Sequence, residues 1–155
     1  MKNKIILISC FIVFFTNYTY AQRLEVIRTY WDWGRTQLHE RYTVIAGTPT
    51  KHGYYKEYNQ VGALWNTAHY NHGVLHGQYV QYFGGIPEEI WYIENYTNGK
   101  RNGKHISYSQ EDGCSNCVEE VLIYKNDELV EYTKYYVNRQ NNGRKEKHVK
   151  FVGDI

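Results

Sequence analysis

The residues that could do chemistry fall into four groups. Cys114 and Cys117 are separated by Ser115 and Asn116, a spacing used by redox pairs and by zinc sites. Redox pairs become reactive at a helix N-terminus, which lowers the thiol pKa. Here Glu111 and Asp112 precede the pair and Glu119 and Glu120 follow it, and acidic neighbours raise a thiol pKa. Zinc takes four ligands, and only two are in sight. The pair reads as a structural disulfide tightening a loop, the expected state in an oxidising compartment. His69, His72 and His76 cluster around one turn, with His52 a repeat earlier. They would bind a metal only with a further ligand. His76 stands just before a recurring glycine, as His52 and Asn102 do, so it reads as a turn residue. No metal and no cofactor is expected.

The acidic pairs Glu88/Glu89 and Glu119/Glu120 are adjacent in sequence, and adjacent strand residues point to opposite faces. Neither makes an acid–base dyad by itself. Glu40 and Glu94 occupy matching repeat slots among apolar residues, which places each at a rim or in a hydrogen bond to a tyrosine. No nucleophile elbow, phosphate loop or metalloprotease signature is present, and a non-enzyme is expected. The fourth group is aromatic: 17 Tyr and four Trp against two Pro. Such side chains combine a large contact area with a polar handle. Trp65 and Trp91 fall in matching slots and project opposite to Leu64 and Ile90. With Tyr55 and Tyr79 they are the candidate binding residues.

The elements that must position these residues show in the tyrosine spacing. Tyr42, Tyr70, Tyr96 and Tyr124 lie 28, 26 and 28 residues apart. Tyr30, Tyr58, Tyr82, Tyr108 and Tyr135 lie 28, 24, 26 and 27 apart. Gly34, Gly62, Gly85, Gly113 and Gly143 follow the second series, while Gly47, Gly73 and Gly99 follow the first, with Asp127 in the fourth slot. Several markers in one register define a repeat. The clearest units are 53–76, 77–102 and 103–129, with degenerate ends at 26–52 and 130–152, as caps of a stack should be. The second half of each unit alternates as a strand does, with Leu64, Ala68 and Tyr70 facing opposite to Trp65, Thr67 and His69. Tyr55 and Tyr58, like Tyr79 and Tyr82, are three apart, and a bulge or a tight twist in that strand would let both face one side. The predicted fold is all-β: a single twisted antiparallel sheet of about four to five stacked β-hairpins. Its structural ladder is Tyr58, Tyr70, Tyr82, Tyr96, Tyr108 and Tyr124.

The pattern Gly-x-Tyr-x-x-Tyr-x-x-x-Gly-x-Leu-x(5)-Tyr-x-x-Gly-x-x-x-Gly over residues 53–77 resembles MORN repeats, in the longer bacterial variant found in proteins often labelled antitoxin-like. The resemblance covers roughly residues 26–136 and weakens after Gly103, where residues 114–119 lengthen the hairpin. It implies stacked hairpins and a binding or tethering role without catalysis. It does not pass on a defined site.

Residues 1–21 have the layout of a secretory leader: Lys2 and Lys4, an apolar run over 5–15, then a polar stretch ending at Ala21. The apolar run is shorter than the roughly 20 residues of a membrane span. Lipidation at Cys10 would strand residues 11–15 behind the lipid. An exported domain over 22–155 is expected, periplasmic or extracellular, with no transmembrane segment. Lys2 and Lys4 belong to the 18 basic residues, and without them 16 stand against 16 acidic ones. Nucleic-acid binders need a concentrated basic face; the only local excess, Arg139, Arg144, Lys145, Lys147 and Lys150 near the C-terminus, is explained as well by a solvated tail, so no nucleic acid is expected. The expected partner is a protein; the alternatives are a cell-wall glycan or lipid headgroup taken by exposed Tyr and Trp, or an antitoxin or immunity role.

Overall fold

The computed structural model describes residues 22–84, 89–109, 117–136 and 144–150, the side chains of 136 and 144–150 apart. The expected leader, Gly85, Glu88, residues 110–116 with Cys114, Arg139 and Gly143 lie outside the described residues. The strands are β1 (Leu24–Tyr30), β2 (Leu38–Ile45), β3 (Lys51–Tyr58), β4 (Leu64–Asn71), β5 (Val74–Leu75) and β6 (Gly77–Tyr82). Then come β7 (Ile90–Thr97), β8 (Lys100–Arg101), β9 (Gly103–Tyr108), β10 (Val118–Lys125), β11 (Glu128–Tyr136) and β12 (Arg144–Lys150). All belong to one open antiparallel sheet in the order β1-β2-β3-β4-β6-β7-β9-β10-β11-β12, and no helix occurs among the described residues. The two-residue strands β5 and β8 pair with β4 and β7. Each continues into β6 or β9 after one interrupting residue, His76 or Asn102. The all-β sheet of consecutive hairpins is thus the architecture that the repeat predicts.

The register explains most members of both tyrosine series. Tyr30, Tyr58, Tyr82 and Tyr108 stand opposite Leu38, Leu64, Ile90 and Val118. This is one aromatic–aliphatic cross-strand pair per unit, the kind of pair that stabilises a sheet. Tyr70, Tyr96 and Tyr124 stand opposite Gly53, Gly77 and Gly103. Those glycines have φ of +94°, +96° and +100°, which side-chain-bearing residues rarely adopt. A ring across the strand covers the surface that the missing side chain leaves.

The two ends of the stack differ. At one end, turns of two residues join neighbouring units: His72-Gly73, Asn98-Gly99 and Asn126-Asp127, all with positive φ. That is the backbone of the tight hairpin turn favouring Asn-Gly, and Asp127 tolerates it as Asn and Asp do. Each turn docks on the preceding unit: Gly73 N donates to Lys51 O (2.8 Å), Gly99 N to Leu75 O (2.8 Å) and Asp127 N to Arg101 O (2.9 Å). At the other end the connections are longer and vary in length. Each is closed by a backbone bond: Trp31 N to Gln37 O, Asn59 N to Ala63 O, Phe83 N to Glu89 O and Ser109 N to Cys117 O, at 2.8–2.9 Å. Asp32 and Asn59 hold their loops with side-chain oxygens, Asp32 Oδ1 accepting from Gln37 N at 2.7 Å and Asn59 Oδ1 from Ala63 N at 2.9 Å.

Each unit also carries a bulge. Thr29 pairs with Glu40 but Tyr30 with Leu38, so His39 is left over. By the same shift Trp65, Trp91 and Glu119 are left over in β4, β7 and β10. The extra residue thus lies on the second strand of each hairpin, not the first as expected. The register shift of β3 against β2 falls between Lys51 and Tyr55, so Tyr55 and Tyr58 face opposite sides, as do Tyr79 and Tyr82. The alternation expected through β4 also breaks at Trp65, which separates Leu64 from the face of Ala68 and Tyr70. A single layer buries little. The buried apolar side chains are Val44, Tyr55, Ala68 and Val80, and among the described residues no large side chain is below 2% exposed. The ladder tyrosines Tyr58, Tyr70, Tyr82, Tyr96, Tyr108 and Tyr124 are half-buried.

Candidate binding surface at the loop end

Two of the bulge residues, His39 and Trp65, lie beside Glu57 at the loop end. His39 Nε2 lies 3.7 Å from Glu57 Oε1, and Glu57 shares a face with Tyr55 by strand alternation. The Trp31 ring sits 3.8 Å from the His39 ring, and its Nε1 donates to Tyr58 O at 3.1 Å. Trp31, Glu57, Tyr58, Asn59, Gln60 and Trp65 line, with Val61, an open cleft of about 420 Å³. Trp91 makes an edge-on contact with Tyr92, 5.6 Å between centroids. One strand, β6, lies between Trp65 and Trp91, so the two rings flank Tyr82's strand and do not form a stacked pair.

Six large apolar side chains are exposed here: Trp31 (42%), Trp33 (104%), Val61 (86%), Trp65 (36%), Phe83 (41%) and Trp91 (46%). All four tryptophans of the chain are among them. The other exposed apolar residues, Leu24, Val26, Tyr54 and Val74, lie toward the turn end. A loop end with variable connections carrying exposed aromatic rings is where sheets place binding residues. Trp31, Trp33, Val61 and Phe83 escaped the sequence reading because they sit in connections, outside the repeat register.

Behind this rim runs a polar row of cross-strand neighbours, Glu40, Glu57, Asn66 and Gln81. Tyr55 Oη donates to Glu40 Oε1 (2.8 Å) and lies 3.3 Å from Glu57 Oε2. Asn66 Nδ2 donates to Glu57 Oε2 at 2.6 Å, while the buried Asn66 Oδ1 has no partner among the described residues. Tyr79 Oη donates to Gln81 Oε1 (2.9 Å), and Gln81 Nε2 to Trp65 O (2.9 Å). Tyr96 Oη and His105 Nδ1 both bond Glu94, at 2.7 and 3.2 Å. Glu40 and Glu94, open in the sequence to a rim or a tyrosine-bonded setting, are therefore tyrosine-bonded.

Two of the candidate binding residues, Tyr55 and Tyr79, are tied into this polar row. Tyr55 is 8% exposed and its hydroxyl is spent on two carboxylates, so it supports the loop-end rim and is not one of its exposed rings. Tyr79 is half-buried, stacked on Tyr92 at 5.9 Å, and plays the same part. Burial, and then the neighbouring carboxylates, push the Tyr55 hydroxyl far above its ordinary pKa. Burial, followed by Tyr92, does the same to Tyr79, and burial, followed by Glu94, to Tyr96. The hydrogen bond from His105 holds the Glu94 carboxyl below its usual range.

The histidines are absorbed by the turns. His72 N donates to His52 Nδ1 (3.3 Å), their rings meet edge-on at 4.8 Å, and His69 Nδ1 lies 3.0 Å from His76 O. Among the described residues no group of three or more His, Cys, Asp or Glu is placed to hold a metal, and no helix is long and apolar enough to cross a membrane. Comparison with protein-family models, curated proteins and solved structures gives no match to this chain.

Proposed function

We propose that this chain is an exported, non-enzymatic binding module of MORN-like hairpin repeats, and that its loop end docks a protein partner. Six exposed large apolar side chains at one end of a thin sheet are the observation that carries this reading. Aromatic anchors of this kind dominate the energetics of protein interfaces. Trp65 and Trp91 are separated by β6 and do not stack on each other. The polar row behind them is internally bonded and supports the rim. In the same reading, Cys114 and Cys117 are bonded to each other, which fixes the longest loop of that end.

A glycan is the second reading. It is favoured by the Trp31/Trp65 cleft, where Asn59, Gln60 and Glu57 supply hydrogen-bonding groups beside the rings.

Photo-crosslinking from single positions tests the proposal, using the chain expressed in its own host. A crosslinker replacing Trp33 or Trp91 should give a discrete adduct with one protein. A crosslinker replacing Val74, exposed at the opposite end, should not. Equal adducts from both ends would overturn the assignment of the surface. Glycan binding abolished by Trp31→Ala and Trp65→Ala, without any protein adduct, would favour the second reading.

A further inference from the structure

Lys51 opens β3, and its side chain lies on the Tyr55 face away from the loop-end rim. Its Nζ stands 4.3 Å from the centroid of the Tyr55 ring, 4.7 Å from that of Tyr42 and 5.4 Å from that of Tyr70. The rings come from three successive strands, β2, β3 and β4. Tyr42 and Tyr55 are tilted by 31° and Tyr55 and Tyr70 by 70°, so they form the floor and walls of a trough. A cation over such faces is attracted by the negative ring quadrupole. Glu40 and Glu57 accept from the Tyr55 hydroxyl, which adds negative potential behind the floor.

The setting is unusual for a primary ammonium, which carries three donors and is strongly hydrated. Among the described residues no carboxylate lies within 4 Å of Lys51 Nζ, and ring faces are its contacts. The third unit offers a contrast. There Arg101, at the matching slot, lies 4.2 Å from the Tyr124 ring but is tied to Asp127, with Nε 3.8 Å from Oδ1. In the second unit the slot holds Leu75. The cation of the first unit is therefore held by rings alone, on a flexible four-carbon stem. Ring faces alone are also how a cation that cannot donate hydrogen bonds is recognised.

We propose that Tyr42, Tyr55 and Tyr70 form a site for a quaternary ammonium group, and that the Lys51 ammonium is its resting occupant. A trimethylammonium group entering the trough displaces Lys51 into solvent. Methyl groups then cover the three rings, and no hydrogen bond is lost. The site is on a different part of the sheet from the proposed docking rim and does not depend on it.

Choline chloride is the probe, titrated against the full chain and followed by tyrosine fluorescence and NMR. Lys51→Ala empties the trough and should bind choline at least about tenfold more tightly than the unmodified protein, the scale of the competing cation–π contact. Adding Tyr70→Ala should abolish that binding, while Lys51→Met, which refills the trough without charge, should not bind. Should Lys51→Ala fail to fold, the unmodified protein still decides: choline should move the ring-shifted ε-methylene resonance of Lys51 toward its free-lysine position. Sedimentation with phosphatidylcholine vesicles, but not phosphatidylglycerol vesicles, identifies a lipid headgroup as the source; choline binding without sedimentation identifies a free small molecule. Folded Lys51→Ala without saturable choline binding, or binding indifferent to Tyr70→Ala, overturns the proposal. So does a Lys51 resonance that stays in place at saturating choline.

Discussion

Among the described residues Tyr55 is the one buried tyrosine, and its hydroxyl reaches both Glu40 and Glu57. Tyr55→Phe keeps the ring and removes the donor, so the expected cost is about 1.5–3 kcal/mol, the range for a hydrogen bond to a charged group. Urea unfolding should show it as a lower midpoint with an unchanged slope. Glu94 makes a different prediction. Its carboxyl pKa is lowered in the fold, first by the bond from His105, from an ordinary 4.5. A depressed folded pKa means that the unfolded chain takes up the proton first as pH falls. The stabilisation is thus fully present above the unfolded value and is lost as pH falls through the folded one. Glu94→Gln should flatten the stability profile below about pH 4.5. An acid limb as steep in the variant as in the parent would show that Glu94 is not the group titrating. The sequence placed Glu40 and Glu94 near tyrosines through the repeat, but it gave no hint of the bonds to Asn66 and His105, which depend on register across strands.

The hairpin is the unit in which sequence and structure agree best. Tyrosine and glycine spacings located the strands, and the register shows why they recur: one tyrosine faces an aliphatic residue and the other faces a glycine. The bulge was not legible, because one extra residue leaves the repeat length unchanged and alters only which side chains share a face. This moved Trp65 off the expected alternation and split Tyr55 from Tyr58. The glycines at φ near +95° lead to a graded expectation. A Cβ at Gly77 would meet only His69 Cβ at 3.7 Å, an ordinary contact, whereas at Gly53 it would lie 2.6 Å from Thr43 Oγ1. Gly77→Ala should therefore cost about 1–3 kcal/mol of backbone strain. Gly53→Ala should cost measurably more, since Thr43 must also give up its hydrogen bond to the His52 carbonyl. Thermal melts of the two variants rank them directly, and equal shifts would mean that the close approach to Thr43 is relieved at no cost.

Across the whole molecule, one layer of hairpins with few buried side chains must rely on contacts between successive units, as repeat proteins do. The exposed tryptophans at one end and the tight histidine- and asparagine-bearing turns at the other give the sheet an aromatic-rich end and a stitched end. The sequence supplied the stack and its order but not this polarity, because the loops that carry Trp31, Trp33, Val61 and Phe83 share no spacing. The stitching rests on Gly73, Gly99 and Asp127, whose amides sit in turn tips yet donate to the unit before at 2.8–2.9 Å. Turn-tip amides of an isolated hairpin exchange with solvent readily, since local openings there cost little. Residue-resolved amide exchange on the full chain therefore tests the stacked-hairpin account most directly. These three amides should be protected at a level near that of the central strands β4, β6 and β7. If they exchange as fast as unbonded turn amides while those strands stay protected, the units are not stitched turn to turn and the account of the stack is wrong.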